Sequence, residues 1–384
     1  MLTHTDAAVA LVALASAAVG IALLTALSVR HHCHLRKLPI RIHVAGTRGK
    51  SSLTRLIAAA LRANGLKVLA KTTGTVPQLI DANGVVRPWP RRGPPSIREQ
   101  ERFIALAAAA GAQAVVMECM AIKPDLVWAS EKYIIRSNFT VITNARPDHL
   151  EELGTGDCAV AEALACAMPT GGHLYTTEEG ASEPMLDRAR LMNTRLHVIE
   201  SRKSDPAAEH VSIVNALCHD LGLTGTAVAR GMPLLCKERS AFAVWPLRVG
   251  DKNIRFANAF ACNDVESLSI LWGHVQLEET STPVVLVNTR RDRPLRTREL
   301  LRFLHRHHPS MTLFLNGGRL SYQLARRAGF GPDQIRPVQS YRPSEVLSQL
   351  AAVAPDNGLI WGIGNYQGLG AKIIDEVERR CRRC

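Results

Sequence analysis

Hydrophobic positions along this chain fall into three patterns. Ala7 to Val29 is an uncharged run of 23 residues rich in Ala, Leu and Val, long enough to cross a bilayer as one helix. No basic residue precedes it, so it does not have the layout of a cleavable signal. Arg30, Arg36 and Lys37 follow it, with His31, His32 and His34 among them. That asymmetry predicts an outside N-terminus and a cytoplasmic remainder. An unusually long buried helix is the other reading of the run.

From Ile40 onward the pattern changes to short β-branched runs separated by segments of helical period. Ile40–Ala45, Lys67–Lys71, Ala114–Met117 and Thr140–Thr143 read as strands. Leu53–Ala63 and Ser96–Gly111 read as helices, and Asp81–Pro95, rich in Pro, Gly and Arg, as a loop. Strands alternating with helices predict an α/β fold with a mostly parallel sheet and helices on both faces. A second block begins near Ser240, where Phe256–Asp264, Val284–Arg293, Thr312–Gly318 and Leu359–Asn365 read as strand ends or turns. The predicted organisation is a transmembrane anchor (1–30), a central nucleotide-binding domain (31–239) and a smaller C-terminal α/β domain (240–384).

Composition narrows the picture modestly. With 384 residues and 46% hydrophobic content the chain can bury a large core. Its formal charge of +13 suits an anionic partner, although Arg-rich coding bias would give the same balance. Aromatics are only 5%, with no basic-aromatic ladder, so no nucleic-acid role is expected. The nine cysteines are scattered and odd in number, which fits a reducing compartment. Cys381 and Cys384 form a lone terminal CxxC that cannot complete a zinc site by itself.

The chemistry concentrates at Gly46-Thr47-Arg48-Gly49-Lys50-Ser51-Ser52, between a predicted strand and a predicted helix. Glycines let successive backbone N–H groups turn toward phosphate oxygens, and the helix adds its positive end. Lys50 is expected on the β/γ-phosphates, and the hydroxyl of Ser51 or Ser52 on Mg²⁺. The loop is two residues shorter than the usual Walker spacing. Ligands of parallel sheets gather at the carboxyl ends of strands, so Lys71-Thr72-Thr73, Glu118 and the segment Asn144 to His149 should converge on this loop. Glu118 and His149 are the candidate metal ligands and, with Lys50, the candidate catalytic residues. In the second block Asp292, Arg293 and Arg296 could bring charge to the nucleotide.

These residues resemble the Mur ligases and folylpolyglutamate synthases: the glycine loop, Asn144 with Asp148-His149, Asn263-Asp264, and Asp292-Arg293 with Arg296. Lys71-Thr72-Thr73-Gly74-Thr75, Glu118-Cys119-Met120-Ala121, Ala261-Cys262-Asn263-Asp264 and Gly362-Ile363-Gly364-Asn365 narrow the resemblance to one branch, the ligase subunits of poly-γ-glutamate synthases (CapB or PgsB). The resemblance runs from about Ile40 to Val377. It implies ATP and Mg²⁺ as cofactors, with Asn144, Asp292, Arg293 and Arg296 on the nucleotide and Lys71, Thr72, Thr73, Asn263 and Asp264 toward the substrate. It implies an ADP-forming amide ligase at the cell membrane, joining glutamate to poly-γ-glutamate alongside other membrane subunits. A ligase for a small soluble acceptor and a non-ligating nucleotide switch are the alternatives. The chain departs from many Mur enzymes in having no Lys between His149 and Arg202, where they carry a carbamylated metal ligand. It also has His210 where the family often has an adenine-facing Asn.

Overall fold

A computed structural model describes residues 4–73, 77–91, 93–145, 159–178, 180–200, 206–223, 228–229, 242–262, 265–275 and 283–381. The chain divides into two compact units, Met1–Cys236 and Lys237–Cys384.

The first unit opens with helix α1 (His4–Arg36). Its segment Leu11–Arg36 is long and apolar enough to cross a membrane, and the window that qualifies it is not buried against the protein. The helix runs beyond Arg30, and its last turns join the body: His31 Nε2 lies 2.8 Å from the Ile134 carbonyl, Arg41 Nη1 donates to the Leu38 carbonyl at 2.7 Å, and Leu35 and Leu38 are buried. Strand β1 (Ile40–Ala45) follows almost at once. Then come α2 (Lys50–Ala63), β2 (Val68–Thr72), the edge strands β3 (Gln78–Ile80) and β4 (Val86–Pro88), α3 (Arg98–Ala109), β5 (Ala114–Glu118) and α4 (Pro124–Ala129). A π-helical turn (Ser130–Ile135) continues α4 and ends at Arg136, whose φ of 47° is left-handed. The unit continues with β6 (Phe139–Ile142), α5 (Ala159–Ala165), β7 (His173–Thr177), α6 (Glu183–Leu191), β8 (Arg195–Ile199) and α7 (Pro206–Asp220).

These strands form one sheet in the order β4-β3-β2-β5-β1-β6-β7-β8. The six from β2 to β8 pair in parallel, and β3 and β4 add an antiparallel edge. β1 sits between β5 and β6, so the chain leaves it first toward one edge and later toward the other. A crevice opens at such a reversal, outside the carboxyl ends of the strands. Alternation along β1 sends Ile42 and Val44 into the core shared with Leu53, Ile57 and Leu61 of α2 and Ile213, Val214 and Leu217 of α7. His43 points to the opposite face, where α3 and the π-turn pack.

The second unit is smaller and also α/β. Its strands are β9 (Val244–Val249), β10 (Lys252–Ala259), β11 (Val284–Asn288), β12 (Thr312–Asn316), β13 (Ile335–Pro337) and β14 (Gly358–Gly364). They order as β13-β12-β11-β14-β10-β9, parallel except for the β9–β10 hairpin. Helices α8 (Val265–His274), α9 (Pro294–His307), α10 (Arg319–Ala328), α11 (Pro343–Val353) and α12 (Leu369–Cys381) cover it. Two apolar clusters, one on each face, centre on Trp361 and on Phe256 with Phe260. Gly362 of β14 is required by this packing, because a Cβ there would stand 2.5 Å from the Phe260 ring.

Candidate active site

The glycine loop is shaped by two residues that only glycine serves well. Gly46 has φ +124°, and a Cβ there would overlap Thr143 Oγ1 and stand 2.9 Å from Thr143 N. Gly49, at φ +76°, is the N-cap of α2, and its own Cβ would meet the His210 ring at 2.7 Å. The loop therefore lies flat against the end of β6 and beneath the start of α7. No acidic residue occupies the first turn of α2, so its orphan N–H groups keep their affinity for an anion.

Asn144, expected on the nucleotide, grips the loop itself. Its Oδ1 accepts from Thr47 Oγ1 at 2.5 Å and from the Arg48 N–H at 3.2 Å, and its Nδ2 donates to the Arg48 carbonyl at 3.3 Å. Its own carbonyl accepts the Thr47 N–H at 3.1 Å, and Thr143 Oγ1 donates to the Arg48 carbonyl at 2.5 Å. Lys50 folds back so that Nζ donates to the carbonyls of Gly46 at 2.7 Å and Thr47 at 3.3 Å. That posture holds the ammonium over the loop, where phosphate oxygens would offer it stronger partners.

Ser51 and Glu118 meet at the next strand end. Ser51 Oγ donates to Glu118 Oε2 at 2.8 Å, and the Thr73 N–H donates to the same oxygen at 2.8 Å. Gln100 Nε2 holds the Glu118 carbonyl at 3.0 Å. A buried carboxylate touching a hydroxyl at a helix N-terminus is a hard-oxygen pair of the kind Mg²⁺ favours. The residues present therefore fit a Mg-nucleotide: Ser51 and Glu118 would hold the ion. Ser52 is exposed and outside this pair. His149, with Asp148, lies outside the described residues, as do Asn263 and Asp264.

Lys71 and Thr72, expected at the substrate, lie within the sheet. Lys71 has no exposed surface; its Nζ is 3.3 Å from Glu99 Oε2 and 5.4 Å from the centre of the Trp89 ring. Glu99 also accepts from Arg91 Nε at 2.9 Å. Burial holds the Lys71 pKa below its ordinary value, although Glu99 opposes the shift. Thr72 is buried as well. Thr73 is the member of the three that reaches the strand end, where its Oγ1 also donates to the Cys119 carbonyl at 3.3 Å.

Beneath the loop lies a polar group that the residue pattern did not announce. His43, fully buried in β1, places Nδ1 2.9 Å from Glu131 Oε2 in the π-turn. Glu131 Oε1 accepts the Ser137 N–H at 2.7 Å and Ser137 Oγ at 2.9 Å. Burial alone would keep the His43 ring neutral; the Cys119 sulfur and the Glu131 carboxylate outweigh it and raise the pKa well above the ordinary value. Burial likewise opposes ionisation of Cys119, and His43 overrides it, so the thiol is held below its usual range. His210, which stands where the family often has an adenine-facing Asn, lies against the loop, and desolvation there pushes its pKa down to about 4.

In the second unit Arg290, Arg293 and Arg296 line one small cleft with Thr289, Gly364 and Asn365. Arg296 Nη2 donates to the Gly364 carbonyl at 3.2 Å. Asp292 is held by Arg290 through contacts of 2.9 and 2.5 Å. Asn288, at the end of β11, ties three strands together. Its Nδ2 donates to the Asn365 carbonyl at 2.6 Å, and its Oδ1 accepts from Asn316 Nδ2 at 2.7 Å.

Residues 44–165 match the Mur ligase middle domain. Residues 244–380 match the poly-gamma-glutamate synthase CapB C-terminal domain. The chain is similar to the CapB proteins over most of its length. It is 26% identical over 364 residues to the PGA synthase CapB of Bacillus subtilis (strain 168), covering 91% of this chain and 92% of that one. It is 29% identical over 365 residues to the capsule biosynthesis protein CapB of Bacillus anthracis, covering 90% and 78%. In fold it is similar to a bifunctional folylpolyglutamate synthase/dihydrofolate synthase from Yersinia pestis complexed with AMPPNP and a Mn ion, with a TM-score of 0.65 at 14% identity, covering 91% of this chain and 92% of that one. In this chain a glycine loop, a lysine and a hydroxyl–carboxylate pair come together at neighbouring strand ends.

Proposed function

We propose that this CapB-family chain is an ATP-dependent amide ligase of poly-γ-glutamate synthesis, tethered to the membrane by α1. The observation that carries the reading is the meeting of Lys50, Ser51 and Glu118 at the open N-terminus of α2. In the proposed reaction a γ-carboxylate oxygen of the growing chain takes the γ-phosphoryl group of ATP, and ADP departs. The amine of glutamate then attacks the acyl carbon; the amide C–N bond forms, the C–O bond to phosphate breaks, and phosphate and a proton leave.

The residues divide this work. Backbone N–H groups of the loop and the α2 N-terminus cradle the phosphates, and Lys50 neutralises charge that develops on the transferring group. Asn144 and Thr143 hold the loop in register with β6. Ser51 and Glu118 would hold Mg²⁺, which when bound screens the phosphate oxygens. His149 as a further ligand, Asn263 and Asp264 toward substrate, and Asp292, Arg293 and Arg296 toward the nucleotide remain part of the proposal, together with partner membrane subunits. The basic balance of +13 suits a polyanionic product.

The test uses membranes carrying the protein with its neighbouring membrane subunits, supplied with Mg-ATP and labelled glutamate. ADP release and acid-stable labelled polymer should appear together, and both should vanish in Lys50→Ala. ATP turnover that glutamate neither stimulates nor enters would sink the substrate assignment. The folylpolyglutamate-synthase fold favours a second reading, ligation onto a small soluble acceptor. Full activity of a chain lacking residues 1–30 without membranes would support it.

A further inference from the structure

The two outermost parallel strands of the first sheet carry three rings side by side on one face. His173 and Tyr175 alternate along β7, and His197 on β8 pairs in register with Tyr175. His173 Nδ1 and His197 Nε2 face each other at 3.0 Å, with ring planes 11° apart. Asp220, the last residue of α7, completes the group: its Oδ2 is 3.3 Å from His197 Nδ1 and 3.9 Å from His173 Nδ1. One ligand atom from each of the three residues can be chosen so that all lie within 4.8 Å of one another.

We propose that His173, His197 and Asp220 form a binding site for a divalent transition-metal ion, Zn²⁺ foremost, separate from the nucleotide site. Ligands held 2.0–2.1 Å from a tetrahedral ion stand about 3.3 Å apart. The separations from His173 Nδ1, 3.0 Å to His197 Nε2 and 3.9 Å to Asp220 Oδ2, bracket that spacing, and rotation of the His197 ring and the Asp220 carboxylate would bring the third pair to it. Two imidazole nitrogens facing at hydrogen-bond distance share a single proton, and a metal ion takes the place of that proton. The ligands are each about a quarter exposed, which leaves a route for the ion and room for water in the fourth position.

The surroundings fit a metal better than a bare hydrogen-bond chain. Tyr175 Oη donates to Asp220 Oδ2 at 2.6 Å, the outer partner that orients a ligating carboxylate. Burial and Asp220 push the Tyr175 pKa upward, so the phenol stays a donor. The Tyr175 hydrogen bond in turn holds the Asp220 carboxyl below its usual range, and desolvation keeps His197 toward its neutral, ligating form. Two imidazoles and one carboxylate prefer Zn²⁺, Co²⁺ or Ni²⁺ to Mg²⁺, which distinguishes this donor set from the all-oxygen pair of Ser51 and Glu118.

The position suggests what the ion does. It would pin β7 and β8 to the C-terminal end of α7. The same helix carries His210 against Gly49, ten residues or about 15 Å along its axis. A metal staple at one end of α7 therefore steadies the helix that overlies the glycine loop at the other.

Metal-stripped full-length protein in detergent would be titrated calorimetrically with Zn²⁺ in excess Mg²⁺, and with Co²⁺ followed by visible absorption. The expected result is a Zn²⁺ site that Mg²⁺ does not displace and an intense four-coordinate cobalt spectrum. His197→Ala and His173→Asn should weaken that site at least a hundredfold, and Tyr175→Phe ten- to a hundredfold. Nucleotide binding by each variant reports that it is folded. Absence of Zn²⁺ binding overturns the proposal. So does binding unchanged in the variants, which would put the ion on other histidines such as His31, His32 and His34. The wild-type cobalt spectrum decides independently of the variants: a weak six-coordinate spectrum also refutes the site.

Discussion

Substituting Gly46 by Ala tests whether the loop's shape, and not merely its composition, makes the nucleotide site. The added Cβ would overlap Thr143 Oγ1 and stand 2.9 Å from the Thr143 backbone nitrogen. Turning the threonine aside would forfeit its 2.5 Å hydrogen bond to the Arg48 carbonyl, worth about 0.5–1.5 kcal/mol. A φ of +124° adds backbone strain of about 1–3 kcal/mol. The closed loop should therefore be disfavoured by roughly 2–4 kcal/mol, an affinity loss of about 30- to 1,000-fold. The assay is calorimetric titration with Mg-AMPPNP, beside urea unfolding to confirm that the core is intact. Adding Thr143→Ala removes the hydroxyl overlap but neither the backbone contact nor the strain, so recovery should stay near tenfold. Wild-type affinity in Gly46→Ala would refute the reasoning. Full recovery in the double variant would show that the hydroxyl alone sets the fit.

Three further outcomes are expected. Glu118→Gln keeps an acceptor for Ser51 and Thr73 but loses the charge, so metal-dependent nucleotide binding should fall ten- to a hundredfold while the urea midpoint moves little; unchanged Mg²⁺ dependence would move the metal elsewhere. Glu131→Ala strips the buried His43 of its carboxylate and Ser137 of its acceptor, and urea unfolding should show a loss of about 3–5 kcal/mol; a loss under 1 kcal/mol would mean that His43 is not charged in the fold. His210 has a folded pKa depressed to about 4, so the unfolded chain binds the extra proton between about pH 6.5 and 4. Its contribution is fully present above pH 6.5 and is lost as pH falls through that window, by roughly 1–3 kcal/mol for a partly exposed ring. His210→Gln should flatten the stability profile there, and an unaltered slope would contradict the assignment.

What was legible in the residues was local or lay at a strand end. Gly46 to Ser51 announces itself because glycine geometry and a following helix are encoded within a few positions. Glu118 was legible because a charge closing an apolar strand has little to do inside a core. The partners that reach across the chain were not. Asn144 was expected on the nucleotide; that it also holds the loop backbone follows from the register of β1 against β6, which no local pattern reveals. Lys71 was read at the substrate because it precedes two threonines at a strand end; alternation instead turns it toward Glu99 of α3, and no local pattern reveals that pairing. His43 was not singled out, since its partner sits 88 residues away in a π-turn without a sequence signature. His210 meets Gly49 only through the packing of α7 on α2.

The length of β1 limits how far the glycine loop stands from the root of α1. Three residues separate the end of α1 from β1, whose six residues carry the chain to the glycine loop, a length of about 20 Å. With α1 in a bilayer and its last turns pinned to the body, the loop's distance from the helix root is bounded by one strand. That reach exceeds two Debye lengths at physiological salt, each about 8 Å. On the proposed function, a lengthening polyanion held at that reach would be screened from the repulsion of anionic headgroups.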